Sequence, residues 1–151
     1  MKTGFEIKGA VTLSVERADG SVVSATTKNL ATDWGLQQIA TFIAGGAAPK
    51  PLFTNLAMGD DNTAPAETQT ALVHETERHV ATVTHLTGTD SHKVEVKVSH
   101  ALGSITGTFK EAGLFDAGTG GNMFNRSVFA DFPVTVSDTL TVIWLIEVKN
   151  I

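Results

Sequence analysis

The stretch Asp138-Thr139-Leu140-Thr141-Val142-Ile143-Trp144-Leu145-Ile146-Glu147-Val148 sets Leu140, Val142, Trp144, Ile146 and Val148 against Thr139, Thr141, Ile143, Leu145 and Glu147. Side chains of an extended chain project to alternate faces, so a period of two rich in β-branched and aromatic residues marks a strand. Its second half is apolar on both sides. That suits a central strand covered on both faces, or one with a face in the core and a face against a partner.

The same period recurs upstream. Phe5, Ile7, Gly9, Val11, Leu13 and Val15 alternate with Glu6, Lys8, Ala10, Thr12 and Ser14. Arg17-Ala18-Asp19-Gly20 supplies turn chemistry, and Ser21 to Lys28 returns, which reads as a hairpin. Val94, Val96 and Val98 alternate with Glu95, Lys97 and Ser99 in a strand wet on one face. Further strands are expected at Pro51–Met58, Arg78–Leu86, Ile105–Phe115 and Met123–Ala130, with Phe132–Ser137 at an edge or bend because of Pro133. Residues 67–75 read as a short helical turn.

One segment changes period. Leu36, Ile39, Ala40 and Ile43 fall at i, i+3, i+4 and i+7 after a Thr32 or Asp33 cap, and Gly45-Gly46 supplies a stop. This predicts a helix over about residues 33–44 that closes one end or face of a β structure. Gly35 weakens its first turn by about 1 kcal/mol relative to Ala. About eight strands, one helix and no parallel βαβ rhythm give a mainly β chain. The expected architecture is a single domain over residues 1–151, an antiparallel β-sandwich or jelly-roll-like domain, with a hairpin or arm at 1–28.

The composition narrows the function classes. Of 151 residues, 18% are charged, against roughly 25% in an average globular protein. Eleven Lys+Arg against sixteen Asp+Glu give a net charge of −5, which argues against a nucleic-acid surface. No apolar run approaches the roughly 20 residues of a membrane helix, and the N-terminus lacks the apolar region of a secretory signal. There is no Cys, hence no thiolate zinc site or Cys nucleophile. Thr occurs 21 times and Tyr not at all. A Thr-rich, weakly charged surface suits a chain packed against permanent neighbours.

Motifs that carry chemistry are weak. His74-Glu75-Thr76-Glu77-Arg78-His79 places its second His at i+5, where a zinc-hydrolase helix needs i+4. His85, His92 and His100 form no ligand spacing. Asp60-Asp61-Asn62 lacks the Gly and Glu of a calcium loop and reads as an acidic turn. Gly118-Thr119-Gly120-Gly121 is followed by no Lys-Ser/Thr and no helix, so it reads as a hairpin tip. Ser104 lacks a nucleophile-elbow context. Glu75 and Glu77 read as surface charges. The expectation is no enzyme, no cofactor and no metal.

Three stretches in this order carry a resemblance. They are Lys28–Leu36 with the helix and Gly45-Gly46; Leu56-Ala57-Met58-Gly59-Asp60-Asp61-Asn62-Thr63-Ala64-Pro65 running into Gln69–Leu72 and Glu75–Arg78; and Ile105–Ala117 with its Glu111-Ala112-Gly113-Leu114-Phe115-Asp116, followed by Gly120–Phe129 and Ser137–Trp144. From Lys28 on, the chain resembles a family of small tailed-bacteriophage virion structural proteins. It departs from that pattern at Trp34 and in the His-rich stretch from His74 to His100.

The resemblance implies a non-enzymatic virion component. One placement is the head surface, as a decoration or cement protein bound to the major capsid protein and forming a trimer or dimer. The other is a tail, fibre or baseplate accessory. A length of 151 residues, with no room for a separate receptor-binding tip, favours the head. A carbohydrate-binding β-sandwich is the more distant alternative, and only Trp34 and Trp144 are available as indole platforms.

The positions singled out are Gly59, Glu111, Gly113, Leu114, Phe115, Arg126 and Trp144. Gly113 is expected to permit a bulge or a close approach. Leu114 and Phe115 should point to opposite sides of a strand, one into the core and one under a loop or partner. Arg126 is expected to pair with Glu111 or Asp116, or to stand exposed.

Overall fold

The computed structural model describes residues 4–46 and 53–150. In chain order the elements are β1 (Phe5–Glu16), β2 (Val22–Lys28), β3 (Leu30–Ala31), α1 (Asp33–Ile43), β4 (Asn55–Gly59), β5 (Glu75–Val80), β6 (Thr82–His85), β7 (Lys93–His100), β8 (Gly107–Phe115), β9 (Met123–Val134) and β10 (Thr139–Asn150). They form two five-stranded antiparallel sheets, ordered β2-β1-β10-β7-β6 and β3-β9-β8-β4-β5. The fold is a β-sandwich with one α-helix among the described residues.

In the first sheet, β10 is the central strand the alternation predicts. Val11, Trp144, Val96 and Val83 stand in one cross-strand row, and Leu13, Val142 and Val98 in the next. These inward rows meet Leu56, Met58, Phe109, Ala112, Leu114 and Phe124 of the second sheet in a single core. From Phe5 on, the stretch read as an N-terminal hairpin or arm lies in this sheet, with β1 paired to β10 from Phe5↔Asn150 to Glu16↔Thr139. Residues 1–3 lie outside the described residues, as do Pro51 and Leu52 of the expected Pro51–Met58 strand, which begins at Asn55.

Several boundaries differ from the sequence reading, each for a tertiary reason. The single strand expected over Arg78–Leu86 is two strands in different sheets. The chain crosses between them at Ala81, whose amide donates to the Thr54 carbonyl at 2.8 Å. Of residues 67–75, 67–74 form turns and bends rather than a helical turn, because they lie in a strap across the second sheet, and Glu75 already opens β5. Met123–Ala130 and Phe132–Ser137 are largely one strand, β9, which carries extra residues opposite Lys110, where the register moves from Phe109↔Phe132 to Glu111↔Val128. Pro133 sits beyond the short β3 pairing, on a free edge where its missing N–H costs nothing.

The helix is also seated differently from its hydropathy. Thr32 caps it, its Oγ1 accepting from the Gly35 amide at 3.1 Å. Gly35 is its buried residue: a Cβ there would stand 2.3 Å from the Phe124 carbonyl oxygen of β9. Leu36 and Ile43 of the expected core stripe are exposed, and Ile39 is only half-buried.

Candidate functional site

Most of the singled-out residues meet on the outer face of the second sheet. Ala57, Gly113 and Arg126 stand opposite one another across β4, β8 and β9, and Gly59, Glu111 and Val128 form the adjacent row. Residues 60–74, the connection from β4 to β5, cross this face and are fastened to it by one buried ion pair. Glu111 is fully buried. Its Oε1 accepts from the His74 amide at 2.8 Å, and its Oε2 from the Val73 amide at 3.2 Å and from Arg126 Nε at 2.8 Å.

Arg126, also buried, donates through Nη1 to the Thr63 carbonyl at 2.9 Å and to Gln69 Oε1 at 3.1 Å. Its Nη2 lies 2.8 Å from Glu111 Oε2 as a charge contact but is not aligned as a hydrogen-bond donor. One carboxylate and one guanidinium thus hold both ends of the strap. Of the two acid partners expected for Arg126, the structure selects Glu111. Asp116 instead binds the amide and the side chain of Asn122 in the β8–β9 turn.

The small residues beneath the strap make room for it. A Cβ on Gly59 would stand 2.2 Å from the His74 carbonyl and 2.6 Å from Glu111 Oε1. At Gly113 it would meet Leu72 Cδ2 at 3.0 Å and Asn125 O at 3.2 Å, so the close approach is realised, while the register shift falls one residue later, between Leu114 and Phe115. Leu114 enters the main core. Phe115 faces outward into a second cluster with Ala57, Leu72 and Met123, roofed by the Arg78 guanidinium 3.8 Å above its ring. Arg78 pairs with both oxygens of Glu75 and donates to the Ala117 and Gly120 carbonyls of the β8–β9 tip. Trp144 lies apart, in the main core, its Nε1 donating to Asn29 Oδ1 at 3.3 Å.

The histidine-rich stretch holds no ligand set: among the described residues, no group of three or more His, Cys, Asp or Glu is placed to hold a metal ion. His74 pairs with Asp60, whose hydrogen bond and charge raise its pKa. His79 packs edge-on against His100 with ring centres 4.4 Å apart. Burial lowers the His100 pKa, and the neighbouring His79 adds to the effect. Asp61 accepts from the Thr63 amide, the acidic turn expected.

A second feature is a groove of about 330 Å³ between α1 and the ends of β1 and β10. Ile7, Leu36, Ile39, Leu145 and Ile146 line it, with Lys8, Lys28 and Glu147 also along its wall. Asn125 lies in its wall, buried, with both side-chain polar atoms unpartnered among the described residues. Outside the groove, Phe42 is 65% and Ile43 64% exposed at the end of the helix.

No family model, curated protein or solved structure matches the chain.

Sequence reasoning missed the residues whose role is to leave space or to meet a distant backbone. Gly9 interrupts the inward row of β1 because a Cβ there would lie 1.8 Å from Asn29 Oδ1, the acceptor of the Trp144 indole. Asp138, which opens the stretch leading into β10, is buried. Burial acts to raise its pKa, but hydrogen bonds from the Thr135 amide and hydroxyl and the charge of Arg17, 2.5 Å away, hold it below the usual carboxylate range. Among the described residues no helix is long and apolar enough to cross a membrane.

Proposed function

We propose that the chain is a non-enzymatic structural subunit of a tailed-phage virion, a decoration or cement protein that binds the major capsid protein and stabilises the assembled head shell. The observation that carries the reading is apolar surface at the helix end of the sandwich. Leu36 (46% exposed) lines the groove with Ile7 and Ile39, Phe42 and Ile43 are exposed at the end of the same helix, and Phe5 and Val148 extend the inward faces of β1 and β10. Covering such half-exposed side chains contributes about 1 kcal/mol each, and contiguous apolar surface of this kind marks interaction sites.

Two further points support it. The residues that carry the resemblance to phage virion proteins, from Gly59 to Arg126, fasten a loop rather than line a reaction site. A weakly charged, Thr-rich exterior suits a permanent neighbour. The test is electron cryomicroscopy of intact particles of a phage encoding the chain, with Phe42→Asp and Ile43→Asp compared with the wild type. The reading expects density on the head surface, lost in the charged variants, and particles more easily disrupted by heat without it. Density at the tail alone selects the accessory role, and absence of the chain from purified particles overturns both.

A further inference from the structure

Three of the four sheet edges carry a device against pairing with another strand. β5 places Glu75, Glu77 and Arg78 along its length, β3 is two residues long, and β6 is four. β2 has none of these. It runs for seven residues, Val-Val-Ser-Ala-Thr-Thr-Lys, at the edge of the first sheet, with no proline, no register shift and no charge before Lys28. Val22 is 60% and Val23 47% exposed.

The hydrogen-bond phase of the hairpin tells which backbone groups of β2 point outward. The Asn29 amide donates to the Gly9 carbonyl, and the Arg17 amide to the Ser21 carbonyl. Bonded pairs in an antiparallel ladder recur at every second residue. Val11/Thr27, Leu13/Ala25 and Val15/Val23 are therefore the bonded pairs between. Val22, Ser24, Thr26 and Lys28 turn their N–H and C=O groups away from β1, and of these the Lys28 carbonyl already accepts from Ser127 Oγ of β9 at 2.8 Å.

We propose that β2 is a strand-addition edge whose occupant is β2 of a second copy of this chain, antiparallel about a two-fold axis through Ala25. In that register Val22 meets Lys28 of the other copy and Ser24 meets Thr26. Every outward-turned residue therefore faces another outward-turned residue; each Ser24–Thr26 pair exchanges two hydrogen bonds, and each Val22–Lys28 pair gains the one donated by the Lys28 amide to the Val22 carbonyl. The charges also agree. Glu16 stands beside Val22 on β1, so the incoming Lys28 lies on the same face as Glu16, in the same row with Val22 between them. The two Lys28 side chains are kept about 20 Å apart at opposite ends of the seven-residue strand. An isologous contact of this kind closes at two copies, which selects a dimer over a trimer.

The inference concerns the purified chain and stands apart from the virion reading, so either can fail alone. Sedimentation and light scattering on the full chain, from micromolar to millimolar concentration, should show a doubling of mass. Ser24→Pro removes an outward N–H while leaving the bonds to β1, and should give a monomer with unchanged circular dichroism. Ala25→Cys, in a chain with no other Cys, should form an inter-chain disulfide under mild oxidation, because the two positions meet on the axis; Thr84→Cys on β6 should not. A wild-type monomer throughout this range overturns the proposal, as does a Ser24→Pro dimer or equal cross-linking at both positions. Should Ser24→Pro fail to fold, the cross-linking comparison decides alone.

Discussion

Replacing Glu111 by Gln keeps the volume of a fully buried side chain and removes its charge, leaving the Arg126 guanidinium buried with only neutral oxygens to meet it, those of Thr63, Gln69 and the new amide. The substitution also puts an NH2 group in place of one of two oxygens that together accept three hydrogen bonds, from the His74 and Val73 amides and Arg126 Nε, with Arg126 Nη2 in charge contact beside them. At least one donor is then aimed at another. Breaking a buried ion pair by removing one partner typically costs about 3–5 kcal/mol. Part of that is recovered here if the loosened strap admits water, so the lower end, about 3 kcal/mol, is expected. At roughly 2–4 °C per kcal/mol for a domain of this size, the melting temperature should fall by about 10 °C.

Urea unfolding followed by the fluorescence of Trp34 and Trp144 measures this loss for Glu111→Gln, Arg126→Gln and the double variant. The two groups touch, so the double variant should cost less than the sum of the singles, by about 1–3 kcal/mol. Thermolysin should also cut within residues 60–74 of the single variants faster than in the wild type, because Leu72 and Val73 are freed with the strap. Single-variant losses under about 1 kcal/mol, or strict additivity, would refute the clamp.

Gly35→Ala should destabilise by up to about 2 kcal/mol net: the gain of about 1 kcal/mol in helix propensity is set against about 1–3 kcal/mol for forcing a Cβ against the Phe124 carbonyl. Thermal melting checks the sign. Thr32→Ala should cost about 1–2 kcal/mol, since it removes the cap on Gly35 and a buried hydroxyl that donates to the β9 backbone, read by the same denaturation. His100 has its folded-state pKa lowered by burial, so its neutral form is the one the fold favours. Its stabilising contribution is complete above the unfolded value of about 6.5 and is lost as pH falls through the lower folded value. Melting temperature should therefore fall more steeply from pH 7 to pH 5 in the wild type than in His100→Gln; parallel profiles would exclude His100 as the cause.

Where burial follows from alternation alone, the fold was legible. β1, β7 and β10 show a wet and a dry face in their own sequence, and the sandwich follows from having many such strands. The break at Ala81 was not legible, because Glu75–Val80 and Thr82–His85 contain no run of large apolar residues and their sheets are chosen by partners distant in sequence. The helix misled for a related reason: hydropathy nominates Leu36, Ile39 and Ile43 as its inner face, whereas the β9 backbone is reached through the residue without a side chain. Within the site, the Glu111–Arg126 pair was readable as one of three alternatives, beside an Asp116 pair and an exposed Arg126. Its role as the fastening of residues 60–74 was not, since backbone amides as donors leave no trace in side-chain pattern.

The two sheets solve the problem of an outer face in different ways, and this explains where the sequence is most particular. The second sheet covers its outside with its own chain. That requires Gly59, Ala57 and Gly113 to be small, Leu72 to fill the gap above them, and a charge pair to hold amides that would otherwise be buried without acceptors. Among the described residues the first sheet has no such strap. Two of its outward rows run Thr26, Thr12, Ile143, Lys97, Thr82 and Lys28, Ala10, Leu145, Glu95, Thr84, with each charged residue flanked by neutral neighbours in its row, while Lys8, Glu147 and Lys93 stand together in the next. Threonine serves there because it packs well on a pleat and still hydrogen-bonds, as Thr12 and Thr26 do at 2.8 Å. The low charge of the whole chain therefore has two separate origins: on one side a surface buried by the chain itself, and on the other a bare pleated face that ends in the unguarded edge of β2.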